Sequence, residues 1–151
     1  MCQQITILEQ GTQVEIGSKT AVFEQPRTKA GAKITGCANI TGCNLMLKNQ
    51  IQVNDWGCVL DIGQAVSNKI TSVGIRANHL RFCDQQDLPN SFGYQIKSIK
   101  EMPDKIILLL KITEQQIVWL KVEIDRQYWQ NYSEQLPPYV QLPTEKLLLL
   151  A

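Results

Sequence analysis

The stretch YQIKSIKEMPDKIILLLKITEQQIVWLKVEI, residues 94–124, decides the fold class. It contains three apolar-rich runs of strand length, at residues 94–101, 105–112 and 116–124. Pro103-Asp104 separates the first two runs, and Thr113-Glu114-Gln115 separates the second and third. Such residues are typical of tight turns between paired strands. The stretch therefore predicts consecutive β-strands joined by hairpin turns.

Strand-like runs continue on both sides of this stretch. We predict further strands at residues 58–62, 70–76, 79–83, 139–142 and 146–150, with short polar and apolar alternations across residues 39–55. Asp125 is placed to cap a short helix that extends through Tyr132. Many short strands at regular spacing favour a mainly β fold, a barrel or a sandwich, over alternating β and α units.

The first 36 residues differ from the rest, and we name residues 1–36 the lead-in. Strands at Ile5–Leu8 and Val14–Ile16 predict a small hairpin around Gly11. Ser18 is a good N-cap for a helix over residues 19–25, and Thr28 for a second helix over residues 29–34. The sequence therefore predicts two parts, the lead-in at 1–36 and a β-body at 37–151.

Composition narrows the class of function. The chain has 151 residues, 15 basic and 14 acidic, and a formal net charge of +1. A nucleic-acid binder needs a concentrated positive field, so this balance argues against nucleic acid as a partner. No apolar run approaches the ~20 residues that a membrane span requires. We expect a cytoplasmic domain that reaches a membrane only through a partner.

The five cysteines predict reduced thiols and no metal centre. They are Cys2, Cys37, Cys43, Cys58 and Cys83. An odd count, the absence of a C-x-x-C pair and the absence of a signal peptide favour free cytosolic cysteines. The spacing does not offer the four ligands of a structural zinc site.

Motifs for catalysis are missing from the sequence. It has no phosphate-binding G-x-x-x-x-G-K-[ST], no G-x-G-x-x-G, no H-E-x-x-H and no G-x-S-x-G. His79 is the only histidine, and its position beside apolar residues favours a structural role over catalysis. We therefore expect that this chain is not an enzyme and carries no catalytic residue or cofactor of its own.

Three stretches together resemble a known family. Residues 7–29 are similar to the "L-x-x-G-x-x-x-x-x-G" hairpin, helix and "x-P-x-T" that close the nucleotide-binding domain of ABC-importer ATPases. Residues 34–40 (ITGCANI), 55–57 (DWG) and 73–82 (VGIRANHLRF) resemble the TOBE-type domain that follows, in its molybdate branch. Residues 142–150 (LPTEKLLLL) resemble the "P-P-E-K-L-L-L-L" end of such subunits.

The resemblance implies a fold and a function. The fold would be an OB-like or TOBE-type β-barrel, and the function regulation and dimerisation of an ATP-binding subunit for molybdate, tungstate or sulfate import. It implies a homodimer bound to an ATPase domain and a membrane permease, at the inner face of the cell membrane. The Walker and signature motifs, with ATP and Mg²⁺, would lie upstream of Met1, so this chain itself would not hydrolyse ATP.

The turn at residues 33–39 is the predicted oxyanion site. An oxyanion is held by several N–H and O–H donors and a cation. Gly36 and Cys37 would bring backbone close to the ligand, Thr35 and Asn39 would offer side-chain donors, and Lys33 would supply charge. The alternative is a plain helix-to-strand turn in which Asn39 bonds its own backbone.

Other polar and aromatic residues have two interpretations each. Arg76, with His79 nearby, is predicted to contact an anion or the ATPase body; the alternative is a salt bridge to Asp61 or Asp84. A last set of aromatic residues is predicted to lie in the core or at a dimer interface. They are Trp56, Trp119, Tyr128, Trp129 and Tyr132.

Three other functions remain as alternatives to an oxyanion-sensing domain. The first is a scaffold that binds no ligand and supplies only subunit contacts. The second is an OB-fold binder of single-stranded nucleic acid, which requires a basic groove and stacking aromatic residues. The third is an independent enzyme that uses His79.

Overall fold

The computed structural model describes residues 4–47, 49–132 and 134–151. Cys2 lies outside the described residues. Across the described part, the chain is mainly β, as predicted, with three short α-helices.

The described part of the lead-in, from residue 4 onward, forms the hairpin and the two helices that the sequence predicts. Strands β1 (Gln4–Glu9) and β2 (Thr12–Ser18) pair antiparallel, and helices α1 (Lys19–Glu24) and α2 (Lys29–Ile34) follow. The Ser18 hydroxyl accepts a hydrogen bond from the backbone N–H of Ala21 at 3.2 Å. The Thr28 hydroxyl does the same for Gly31 at 3.0 Å. These caps satisfy backbone donors that a helix start leaves free, and so define where each helix begins.

A buried carboxylate fixes the connection between α1 and α2. Glu15 points from β2 toward this connection and accepts hydrogen bonds from the backbone N–H groups of Arg27 (3.0 Å) and Thr28 (3.1 Å). It also accepts one from the Thr28 hydroxyl at 2.6 Å. Hydrogen bonds to a charged acceptor are stronger than neutral ones. Glu15 therefore holds the hairpin and both helices in one arrangement.

The β-body consists of short strands. They are β3 (Asn39–Gly42), β4 (Asn44–Leu45), β5 (Gln50–Val53), β6 (Cys58–Asp61), β7 (Ser72–Ile75), β8 (Arg81–Cys83), β9 (Ser91–Gly93), β10 (Gln95–Glu101), β11 (Lys105–Lys111), β12 (Leu120–Asp125), β13 (Tyr139–Gln141) and β14 (Leu148–Leu150). Helix α3 (Arg126–Tyr132) follows β12. Short 3₁₀ turns occur at Asn54–Trp56, Ala77–His79 and Thr144–Lys146.

The described strands pair in five small antiparallel sheets and do not close into a barrel. The sheets are β1-β2, β4-β5-β6, β14-β7-β3, β8-β13-β9 and β10-β11-β12. The mainly β prediction is confirmed, whereas the predicted closed barrel is not observed in this part of the chain. Most strands of the body have only two to four residues, so each ends in a turn before its hydrogen bonds can extend into a neighbouring sheet.

The stretch that decided the fold class forms the sheet β10-β11-β12. Its central strand β11 alternates, with Ile106, Leu108 and Leu110 fully buried. The predicted strand at 116–124 is corrected, because β12 begins only at Leu120. The Gln116 side chain is buried and bonds the backbone at Ile112, Leu110 and Val118, which holds this segment as a loop.

A second correction concerns His79. The predicted strand at 79–83 begins only at Arg81, and His79 ends the 3₁₀ turn Ala77–His79. The backbone N–H of His79 bonds the carbonyl of Arg76 at 3.0 Å, which turns the chain and interrupts the extended conformation.

Among the described residues, buried apolar side chains form two cores. The larger core lies among the sheets of the β-body and includes Trp56. The smaller core joins the lead-in to the body through Ala32, Cys37, Leu148 and Leu150. The lead-in is therefore packed against β14, and burial of these apolar side chains stabilises that contact.

Candidate functional site

The predicted oxyanion turn is a helix C-cap whose backbone donors are in use. Gly36 has a φ of +92°, which favours glycine because that conformation crowds a Cβ atom. Its N–H bonds the carbonyl of Lys33 at 3.2 Å, and the N–H of Cys37 bonds the carbonyl of Ala32 at 2.9 Å. These two bonds, with the contact between Cys37 and Ala32, form a Schellman motif. Both backbone N–H groups thus serve the end of α2.

The side-chain donors of the turn are also engaged within the protein. The Thr35 hydroxyl donates to the carbonyl of Gly31 at 2.8 Å. Asn39 is 5% exposed; its amide donates to the carbonyl of Lys121 and accepts from the N–H of Lys121, both at 2.8 Å. Asn39 therefore joins β3 to β12 and does not bond its own backbone.

These contacts favour the structural interpretation of the turn. Of the five predicted residues, Lys33 is exposed on α2, and Cys37 is buried, with burial raising the pKa of its thiol. For Thr35 and Asn39 to bind an anion, the hydrogen bonds described above would have to break. The oxyanion turn predicted at residues 33–39 is thus a helix-to-strand connection in this structure.

Arg76 links the end of β7 to the ends of both lead-in helices. Its guanidinium donates to the Thr35 carbonyl at 2.7 Å, to the Thr35 hydroxyl at 3.1 Å and to the Phe23 carbonyl. Carbonyl groups near a helix C-terminus lack intrahelical partners, and a cation satisfies them well. The alternative salt bridge to Asp61 or Asp84 is not formed. Arg76 instead contacts the segment that resembles the end of an ATPase domain.

A polar cleft lies between the lead-in and the β-body, and we name it the lead-in cleft. Its volume is about 980 Å³. Four of its lining side chains are basic, namely Arg27, Arg76, His79 and Lys146. Its apolar lining includes Ile62 and Leu147, and two carboxylates, Glu24 and Glu145, also line it. The structure brings Arg76 and His79 together here, as their sequence proximity suggests, and adds Arg27 and Lys146.

The charges around His79 are positive. Burial lowers the pKa of His79 below its ordinary value of 6.5. The positive charges of Lys146, Arg76 and Arg81 lower this pKa further, because each disfavours a second cation nearby. The Glu145 carboxylate is 3.7 Å from the Arg81 guanidinium, in a pair whose side chains are both exposed. His79 is therefore neutral at pH 7 in a cationic environment.

The sequence does not indicate that Arg27 and Lys146 belong to this site. Arg27 lies in the connection between α1 and α2, and Lys146 ends the turn before β14. Only the packing of the lead-in against β14 brings them to the same cleft, and no local pattern encodes that packing. In the sequence, Arg27 has a role only within the family resemblance, and Lys146 only there and as the first residue of the predicted strand at 146–150.

The predicted interface aromatics lie in three different environments. Trp56 is 1% exposed in the larger core, which favours the core interpretation of this residue over the interface one. Trp129 is half-buried against the same core. The rings of Tyr128 and Tyr132 are 4.8 Å apart, and Tyr132 is 49% exposed on α3. Trp119 lies in the exposed loop before β12, with the Lys97 ammonium 5.7 Å from its ring centre.

The described cysteines are free thiols. Cys37 and Cys43 are buried, and Cys58 and Cys83 are half-buried. Burial raises the pKa of Cys58 to about 12, so this thiol is unreactive at neutral pH. Within residues 4–47, 49–132 and 134–151, no three or more His, Cys, Asp or Glu side chains are grouped so that they could hold a metal ion.

In the same part of the chain, no helix combines the length and the apolar character needed to cross a membrane. No model of a known protein family and no curated protein sequence matches the chain. The resemblance to the end of an ABC-importer ATPase subunit therefore stays a prediction.

Proposed function

We propose that this chain is the C-terminal regulatory and dimerisation region of an ATP-binding subunit that drives import of molybdate, tungstate or sulfate. The β-body would be the OB-like, TOBE-type domain, and the lead-in the end of the nucleotide-binding domain. ATP and Mg²⁺ would bind in that upstream domain. The assembly would lie at the cytoplasmic face of the membrane, with a permease as its partner.

The attachment of the lead-in to the β-body carries this proposal. Arg76 bonds carbonyl groups at the ends of both lead-in helices, and the smaller core packs α2 against β14. A regulatory domain must couple events on its own surface to the catalytic domain. Because the lead-in and the body share these contacts, a shift of β7 or β14 is transmitted to the segment that resembles the ATPase end.

Isothermal titration of the purified chain with molybdate, tungstate, sulfate and phosphate tests the ligand part of the proposal. We expect saturable binding of molybdate or tungstate. Lys33→Gln and Lys146→Gln each remove one charge, the first at the turn and the second in the lead-in cleft. Loss of binding in only one of the two variants assigns the anion to that location.

Light scattering in the same experiment tests dimerisation. We expect a mass of two chains, with the exposed Tyr132 face of α3 at the contact. Tyr132→Glu should then shift the mass to one chain, whereas Ile117→Glu, in another exposed apolar segment, should not. A monomeric wild-type chain at high concentration would contradict the dimerisation role.

A ligand-free scaffold is the second candidate, and one observation favours it. The donors of the predicted oxyanion turn are already bonded to α2 and to Lys121. A folded dimer that gives no heat with any of the four anions would support the scaffold and would remove the sensing role.

A further inference from the structure

We propose that the lead-in cleft binds the anionic group of a small solute, either an inorganic oxyanion or the carboxylate or phosphate of an organic molecule, beside His79. This inference goes beyond the proposed function, because it holds whether or not the chain belongs to an importer. It also uses a different place in the fold from the turn at residues 33–39.

The first observation is that basic side chains converge from three distant parts of the sequence. Arg27 comes from the lead-in, Arg76 from the end of β7 and Lys146 from the turn before β14. Their backbones are fixed: the Arg27 carbonyl accepts from the N–H of Ala151 at 2.9 Å, and the Lys146 N–H bonds the Pro143 carbonyl at 2.9 Å. Arg27 and Lys146 have no ion pair with any described residue.

Arg76 has donors left for a ligand. A guanidinium has five N–H groups, and the contacts with Phe23 and Thr35 use three of them. These contacts also hold the guanidinium rigidly at the wall of the cleft. A pre-positioned cation binds an anion with a smaller entropy loss than a mobile one does.

The second observation is the set of positive charges around His79. Lys146, Arg76 and Arg81 all act on its ring, and the Glu145 carboxylate lies 3.7 Å from the Arg81 guanidinium in an exposed pair. Glu24 lines the cleft on the lead-in side. An anion at this point would be attracted by Lys146 and Arg76, and it would favour the protonated, hydrogen-bond-donating form of His79.

The third observation is the size of the cleft. A volume of about 980 Å³ lies at the upper end of the range for small-molecule sites. Ile62 and Leu147 give it an apolar wall next to the basic residues. An inorganic oxyanion would fill only a part of this space, and an organic anion would fill more of it.

The test is a proton NMR titration of the full chain, in which His79 gives the only histidine ring signals. The pKa of His79 is measured between pH 5 and 8 in sulfate, in citrate and in chloride at equal ionic strength. Sulfate keeps the same charge across this range, so a change in affinity with pH reports on the protein. We expect sulfate or citrate to raise the pKa of His79 relative to chloride, and to bind more tightly as the pH falls.

Matched variants separate a site from general screening. Lys146→Gln should weaken binding roughly tenfold, since a hydrogen-bonded charge is lost. Lys100→Gln removes the same charge from the exposed face of β10, outside the cleft, and should leave binding unchanged. Saturation by sulfate assigns an inorganic oxyanion, and much tighter binding of citrate assigns an organic one; either supports the site.

Two results would overturn the inference. One is a His79 pKa in sulfate and citrate equal to that in chloride. The other is an equal loss of binding in Lys146→Gln and Lys100→Gln. Neither result depends on Lys33→Gln or on dimer formation, so the failure of this inference is distinguishable from failure of the proposed function.

Discussion

Asn39 shows how one buried amide connects distant parts of the chain. It lies at the start of β3, and both of its polar atoms bond the backbone of Lys121, in β12. β3 and β12 belong to different sheets. A single side chain therefore replaces the backbone ladder that would join them.

Replacing Asn39 with Ala should destabilise the fold by about 2 kcal/mol, because it leaves a partly buried N–H and a partly buried carbonyl of Lys121 without their side-chain partner. Urea unfolding followed by fluorescence measures the loss. Asn44→Ala, at an exposed position on β4, should cost no more than about 0.5 kcal/mol. A cost below about 1 kcal/mol for Asn39→Ala would contradict the structural role given to this amide.

At the scale of single residues, the position of the turn at residues 33–39 could be predicted from the sequence, but the hydrogen-bond partners of its residues could not. Gly36 was recognisable as a break after α2, since glycine is common at that position. The bond from Asn39 to Lys121 spans 82 residues, and no local pattern encodes it. A sequence does not show which side-chain donors already have hydrogen-bond partners, because only the fold brings the acceptors close to them.

At the scale of elements, the lead-in helices depend on contacts outside themselves. α1 and α2 have six residues each, too few for a stable isolated helix. Their N-caps, the Glu15 carboxylate and the Arg76 guanidinium supply the missing stability. The lead-in should thus be the part of the chain that opens first.

Arg76→Gln should loosen the lead-in without unfolding the β-body. Amide hydrogen exchange of residues 19–36 should become at least about tenfold faster, because charged hydrogen bonds at both helix ends are lost. Exchange in β11 and β12 should stay slow. Arg81→Gln, which removes only an exposed ion pair, serves as the control. Equal acceleration in both regions would mean that the lead-in and the body open as one unit.

The sequence predicted those elements whose signals are local. The hairpin, α1 and α2 follow from turn residues and N-caps within a few positions of one another. The start of β12 was wrong because the apolar run Ile117–Trp119 looks like a strand, while the buried Gln116 side chain holds it as a loop. The separate sheets likewise depend on long-range pairing that strand-length runs do not specify.

At the scale of the whole molecule, the stability should depend on pH through His79. Its pKa is lower folded than unfolded, so the unfolded chain binds more protons at mildly acidic pH. The stabilisation from neutral His79 is complete above the pKa that this residue has in the unfolded chain, near 6.5. It is lost as the pH falls through the pKa that His79 has in the folded protein. Anions that bind in the lead-in cleft should reduce this loss.

The measurement is urea unfolding of the wild type and of His79→Gln between pH 5 and 8 in chloride. As the pH decreases below about 6.5, the free energy of unfolding of the wild type should fall relative to that of His79→Gln. The other titrating groups are the same in both proteins, so they cancel. A difference that does not vary with pH would show that the surroundings of His79 leave its pKa at the ordinary value.

The order of synthesis gives the last strand a particular importance. β14 is the last of these elements to leave the ribosome, yet it pairs with β7 and packs against α2. Until then β7 has an open edge, and Ala32, Cys37 and Ile40 have an uncovered apolar face. At 5–20 residues per second, the 75 residues between Ile75 and Leu150 take roughly 4–15 s to synthesise, and β7 is exposed for at least that time. A chaperone that recognises apolar segments therefore has its best opportunity on the nascent chain, and loses it once β14 has left the ribosome and paired with β7.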